Sequence, residues 1–356
     1  MTRSVISSDS DRNAAYNADA MAKERRVREA LTDVKTHDAF AGLERCPTLD
    51  GFRGRAHFSI EPGDSQPQLC GVDPRTGAAP FEQTKWILPA FAQKLAERVF
   101  HRILESNSFP AINGFDLRIA HGREACHLSL TAQKVHAADH ANLCETLLEE
   151  MPELIGVAVP SKGIQRGAES LTHRLNDRDI AQHYSAFFQT NLHLTPALAQ
   201  AAQNALGSET ITGLVDLYCG VGLHSVLAKD KARRISGADN HPAAIESARQ
   251  NAQRVDMSAA AFHQRSADDF VRSSKPPPAS AVILNPPRAG CSEQVIRAVA
   301  DWNPARIVNV SCCLETHIEN LRLWRTLGWL PASVRAFDMF PFSRFVETVT
   351  LLERES

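Results

Sequence analysis

Leu214-Val215-Asp216-Leu217-Tyr218-Cys219-Gly220-Val221-Gly222 decides the fold of this 356-residue chain. Short, largely apolar and ending at two glycines, it reads as a buried strand running into a tight turn, with a helix following over residues 223–229. Without a Cβ at Gly220 and Gly222 the turn can be sharp and a ligand can approach the main chain. A Gly-x-Gly pair alone is weak evidence for a nucleotide. Ser225 stands where a dinucleotide fingerprint has its third glycine, which argues against NAD.

Outward from this turn the pattern alternates regularly. A helix over 196–206 leads in, a strand over 234–238 and a helix over 243–255 follow, and further apolar strands lie at 281–284 and 306–310 with a helix at 293–300 between them. Short apolar strands separated by helices predict an α/β fold with a doubly wound, Rossmann-like sheet over 195–356. In such a sheet ligands bind beyond the carboxyl ends of the strands, and Asp216 and Asp239 both fall at such ends. A carboxylate at Asp239 can accept from both hydroxyls of a ribose. The competing reading makes both aspartates simple turn formers.

Residues 51–194 have a different texture. Strands are expected at 52–60 and 68–72 around the Pro62-Gly63-Asp64 turn, a helix at 89–104, a hairpin at 115–120 and 125–130, a helix at 138–150 and a strand at 156–160. This predicts a smaller α+β domain with an antiparallel sheet, and it is the expected place for RNA contacts. Residues 1–50 form a polar extension. Its first twenty residues are expected to be disordered. A charged helix follows over 22–34, with Lys23, Arg25, Arg26 and Arg28 on a solvated face around Val27, Leu31 and Val34.

Composition narrows the function classes. No apolar run is long enough to span a bilayer, and the first twenty residues carry acids and no apolar core of a secretion signal, so a cytoplasmic protein with no membrane partner is expected. A formal charge of −2 gives no overall nucleic-acid footprint, so any RNA contact needs a local basic patch. None of the eight cysteines forms a Cys-x-x-Cys pair, so neither a zinc ribbon nor an iron–sulfur tetrad is expected and no metal site is assigned.

Two further segments carry chemistry. Asn285-Pro286-Pro287-Arg288-Ala289-Gly290 follows the strand at 281–284, where the prolines stiffen the ligand-side edge and Asn285 can both donate and accept. Ser311-Cys312-Cys313 follows the strand ending near Val310, which places Cys312 at the mouth of the sheet. Cys313 is the rival nucleophile, although a one-residue shift turns its side chain away. Glu347 lies among Val346, Thr348 and Val349 in a C-terminal strand, where apolar surroundings would suit a carboxylate for proton transfer. A water-exposed glutamate at a strand start is the alternative.

Taken together, Phe187-Phe188-Gln189-Thr190-Asn191, Asp216 to Gly222, Asn285 to Gly290, Ser311-Cys312 and Phe340-Pro341 to Glu347 resemble, in the same order, the uracil-C5 RNA methyltransferase family. The resemblance implies a class I methyltransferase domain and S-adenosylmethionine as cofactor. It implies Cys312 as nucleophile, Glu347 as base, and Gln189, Asp216, Tyr218, Gly220, Gly222, Asp239 and Asn285 around the methyl donor. The Asn285 segment looks more like the branch that methylates 23S rRNA than the tRNA branch, without that branch's iron–sulfur cysteines. The expected protein is then a monomeric RNA (uracil-C5)-methyltransferase. An RNA cytosine-C5 methyltransferase is the enzymatic rival, and a non-catalytic RNA-binding relative is the rival from another class. Cys313-Leu314 after Ser311-Cys312 and Arg344-Phe345 before Glu347 depart from the family's usual residues.

Overall fold

The computed structural model describes residues 9–73, 77–133 and 140–355. The chain divides into two compact units, Met1–Pro47 with Ala197–Ser356, and Thr48–Pro196.

The first unit contains α1 (Asp9–Thr32), β1 (Phe40–Glu44), most of α2 (Thr195–Ala205), β2 (Leu214–Leu217), α3 (Leu223–Leu227), β3 (Ile235–Asp239), α4 (Pro242–Arg254), β4 (Ala260–Gln264), α5 (Ala267–Ser273), β5 (Ala281–Leu284), α6 (Glu293–Trp302), β6 (Arg306–Ser311), α7 (Leu314–Thr326), β7 (Trp329–Phe337) and β8 (Glu347–Arg354). Its eight strands form one sheet in the order β1-β7-β8-β6-β5-β2-β3-β4. The strands from β4 to β6 are mutually parallel, β8 runs antiparallel between β6 and β7, and β7 is parallel to β1. This is the expected doubly wound, mixed α/β sheet.

The central strands are apolar because both of their faces are covered, as in parallel sheets generally. On one face Val215, Leu217, Val282, Leu284 and Ile307 join Val295, Ile296, Val299, Ile318, Leu321 and Trp324, together with Val27 and Leu31 of α1 and Val34 just after it. On the other, Ile245, Ala248 and Ala252 of α4 pack with Phe262 and Cys219. Helix starts are fixed locally. The Ser266 and Ser292 hydroxyls accept from the main-chain N–H groups of Asp269 and Val295, and His241 Nδ1 accepts from Ala244 ahead of Pro242.

Two expectations fail here. From Asp9 onward the first twenty residues are helical, with Tyr16 and Ala20 buried; residues 1–8 lie outside the described residues. Lys23 is not on a solvated face: its side chain is 3% exposed.

The second unit holds a seven-stranded sheet that is antiparallel except for one pair, Cys126–Ala132 with Leu154–Val159. A two-stranded sheet of Ser170–Leu175 and Arg178–His183 accompanies it. The helices Ala90–Glu105 and His140–Glu150 belong to this unit; the expected helix start at 138–139 lies outside the described residues. No helix among the described residues is long and apolar enough to cross a membrane.

Candidate active site

The register of the large sheet assembles the site. Leu217 of β2 pairs with Ala238 of β3 and with Leu284 of β5, and Leu284 pairs with Asn309 of β6. Antiparallel β8 meets β6 at Ser311 and Thr348. The carboxyl ends of four parallel strands and the amino end of β8 therefore share one edge, where Gly220, Asp239, Asn285, Cys312 and Glu347 follow or terminate their strands.

At the glycine turn, Tyr218, Gly220 and Gly222 all have positive φ, +60°, +53° and +77°. A Cβ at Gly222 would lie 3.2 Å from the Ala248 Cβ, so that glycine lets the turn pack on α4. A Cβ at Gly220 would meet nothing within 4 Å, which leaves that side of the main chain open. Asp239 fixes the turn: its Oδ2 accepts from Gly220 N–H at 2.9 Å and its Oδ1 from His241 N–H at 2.8 Å.

Asp216 works from inside. It is fully buried, and its Oδ2 accepts from the Ser225 hydroxyl at 2.6 Å and the Ser225 N–H at 3.2 Å. Ser225, which excluded a dinucleotide fingerprint, is thus the residue that ties strand β2 to helix α3. Burial pushes the Asp216 carboxyl up to about 7 against the lowering effect of the Ser225 hydrogen bonds, and the charge of Asp239 adds to the rise. Asp216 accordingly shapes the turn from beneath. Tyr218 is half-buried against the core, and burial together with Cys291 and Asp268 pushes its phenol upward.

Cys312 and Glu347 are brought together. Ser311 pairs with Thr348 at the end of the ladder, so Cys312 just beyond β6 and Glu347 at the start of β8 come close enough for the Glu347 charge to act on the thiol. The link is stitched by His317 Nε2 and Thr350 Oγ1, 2.9 Å apart and buried, which join α7 to β8. Glu347 is 2% exposed, so the reading of a glutamate open to water is excluded. Cys312 is half-buried. Burial and then the negative Glu347 push its thiol up to about 11, while Arg288 opposes the rise. Cys313 is engaged elsewhere, its Sγ lying 3.3 Å from Glu315 Oε2.

Arg288 sits over an aromatic ring. Its guanidinium lies 3.9 Å above the Phe345 ring, and Arg344 covers the same ring at 5.4 Å. The proline loop carrying Arg288 is held at both ends. Asn285 N–H donates to Leu217 O at 3.2 Å; Asn320 accepts from Cys291 N–H at 2.9 Å and donates to its carbonyl at 3.1 Å. The Thr316 hydroxyl donates to Arg288 O at 2.9 Å. Sequence reasoning gave Asn320 no role in holding this loop.

Gln189 lies in the second unit. It is buried, and its carbonyl is 2.9 Å from His121 Nε2. Phe188 beside it stacks on His173 with centroids 3.9 Å apart, and His173 Nε2 is 2.8 Å from Gln182 Oε1.

A family model described as tRNA (uracil-5-)-methyltransferase matches residues 153–355, more than half of the chain. The chain belongs to this family. An uncharacterized RNA methyltransferase of Halalkalibacterium halodurans is 32% identical over 193 residues, which are 53% of this chain and 41% of that relative. The chain therefore spans about two fifths of the length of that relative. A second, from Nitratidesulfovibrio vulgaris, is 27% identical over 96% of this chain and 80% of its own length. Among solved structures, the Pyrococcus abyssi tRNA (uracil-54, C5)-methyltransferase in complex with S-adenosyl-L-homocysteine superimposes with a TM-score of 0.71. It is 21% identical, and the match covers 95% of this chain and 83% of that one, so it speaks to the fold.

Proposed function

We propose that the protein methylates C5 of a uridine in RNA with S-adenosylmethionine, using Cys312 as nucleophile and Glu347 as base. The observation that supports this reading is the β6–β8 pairing at Ser311 and Thr348, with a half-buried thiol and a nearby buried carboxylate flanking it on the edge where the glycine turn is open.

C5 of uracil is a poor nucleophile. Addition of the Cys312 thiolate to C6 makes C5 carbanion-like, so that it can take up the methyl group, which the donor supplies on an electrophilic sulfonium. Glu347 then removes the C5 proton, and the electron pair expels the thiolate and restores the ring. With the thiol pushed up to about 11, the resting cysteine is protonated, and Arg288 is the cation on hand to favour its ionised form. The open main chain at Gly220, the carboxylate of Asp239 and the partly exposed Asn285 suit the donor, with Asp216 holding the turn and Tyr218 beside it. Gln189 is assigned to the donor on the family's motif. The target base would be extruded from its stack to reach the thiol.

The Asn285-Pro286-Pro287-Arg288 segment is our ground for keeping 23S rRNA as the favoured substrate. The tRNA named for the matching family and for the Pyrococcus enzyme makes tRNA the direct competitor. The test is incubation with labelled S-adenosylmethionine and unmodified transcripts of both RNAs, followed by mass spectrometry of the nucleosides. Production of 5-methyluridine that disappears in Cys312→Ala supports the proposal and identifies the RNA. Methylcytidine would point to the cytosine rival, and RNA retention without methyl transfer to a non-catalytic relative.

A further inference from the structure

The residues 338–346 run directly into Glu347, and one face of α1 holds them. Tyr16, Asp19, Lys23 and Arg26 follow a 3-4-3 spacing, which stacks them along one side of a helix. Lys23 Nζ donates to Asp338 Oδ1 at 2.7 Å and to Phe340 O at 2.9 Å, and it lies 2.9 Å from Asp19. Asp19 Oδ2 accepts from Phe342 N–H at 3.1 Å, Arg26 donates to Arg344 O, and the Tyr16 ring meets Phe342 edge-on at 5.8 Å. Positions 338, 340, 342 and 344 are thus each gripped by α1.

We propose that α1 is a positioning element for the base Glu347 and that Lys23 is its central positioning residue. The inference rests on the function proposed above. Apolar packing of α1 on the sheet is already supplied by Val27 and Leu31, with Val34 just after the helix. A buried ammonium adds a desolvation cost, so the Lys23–Asp338 pair is better explained by the geometry it imposes than by net stability. The grip reaches the site: three residues after Phe342, Phe345 is clasped by Arg288, the cation whose charge acts on the Cys312 thiol. Helix α1 also lies outside the residues matched by the family model.

A base displaced by a fraction of an ångström slows proton removal while leaving addition of the thiolate and methyl uptake intact. The test uses the full chain and unmodified tRNA and 23S rRNA transcripts carrying [5-³H]uridine, with ¹⁴C-methyl donor. Methyl incorporation reports the first steps, tritium release reports the base step, and a detergent-resistant RNA adduct reports the stalled intermediate. Lys23→Met is expected to keep methyl incorporation within about threefold in a single turnover, to lose at least tenfold in tritium release, and to accumulate adduct. Lys23→Arg should recover part of the release.

Equal loss of both signals, or no loss of either, would overturn the inference. Should Lys23→Met fail to fold, the double variant Lys23→Met/Asp338→Asn, which leaves no uncompensated buried charge, and Asp19→Ala carry the same expectation and the same refutation. Glu347→Gln is the control. If it accumulates no adduct, the base assignment fails; if it does and the Lys23 variants do not, only the positioning role fails.

Discussion

Replacing Glu347 with glutamine removes the base and, in the same stroke, one of the groups that hold the Cys312 thiol up, so the two halves of the reaction should respond in opposite directions. With the thiol at about 11, roughly one molecule in a thousand carries a thiolate at pH 8. Returning it fully to an ordinary value of about 9 would raise that fraction about a hundredfold, which is the ceiling for faster adduct formation. Burial, the larger cause of the shift, persists in the variant, so the gain should fall short of that ceiling. Proton removal, by contrast, should slow by about 10² to 10⁴, the usual contribution of a positioned base. Quenched-flow measurement of adduct on a denaturing gel separates the two rates. Faster adduct formation with blocked turnover is the expected pattern. Slower adduct formation in Glu347→Gln would refute this, showing that the carboxylate activates the thiol instead of opposing its ionisation.

Arg288→Met removes the cation that favours the thiolate, so adduct formation should slow by about tenfold at pH 7.5 and recover as pH is raised; an unchanged pH profile would count against Arg288. Gly222→Ala should lower the melting temperature more than Gly220→Ala, since only the former brings a Cβ against Ala248, whereas Gly220→Ala should chiefly weaken S-adenosylhomocysteine binding measured by calorimetry. Asp216 is raised in the folded state to about 7, so its contribution to stability is fully present below about pH 4 and is lost as pH rises through 7, by roughly 4 kcal/mol at most. Asp216→Asn should flatten that part of the stability profile in chemical denaturation, and a profile parallel to the native one would refute the assignment.

The alternation of strands and helices from 195 onward was legible because the central strands are buried on both faces, which writes them as uninterrupted apolar runs. Edge and irregular strands were not. β4 is half-exposed and built on alanines, and β7 contains Pro331, absorbed by a register shift before Ser333. Helix α7 passed unread although Leu314, Ile318 and Leu321 mark its buried side. In the site, Cys312 and Glu347 were legible as residue types in motifs, whereas their proximity comes from the pairing of Ser311 with Thr348, 37 positions apart in the chain. Lys23 was misread for a physical reason. Its partner Asp338 lies 315 residues away, and charge patterning along a helix cannot distinguish a solvated lysine from one that closes a distant ion pair.

In the proposed reaction Cys312 adds covalently to a uridine before the methyl group moves. RNA transcripts containing 5-fluorouridine test it directly, since fluorine at C5 cannot be removed as a proton and the adduct is trapped. The expected result is a protein–RNA band that survives denaturing electrophoresis, requires S-adenosylmethionine for its methylated form, persists in Cys313→Ala and is absent in Cys312→Ala. A trapped band that survives Cys312→Ala, or none from the native protein on a transcript that it demonstrably methylates, would contradict it.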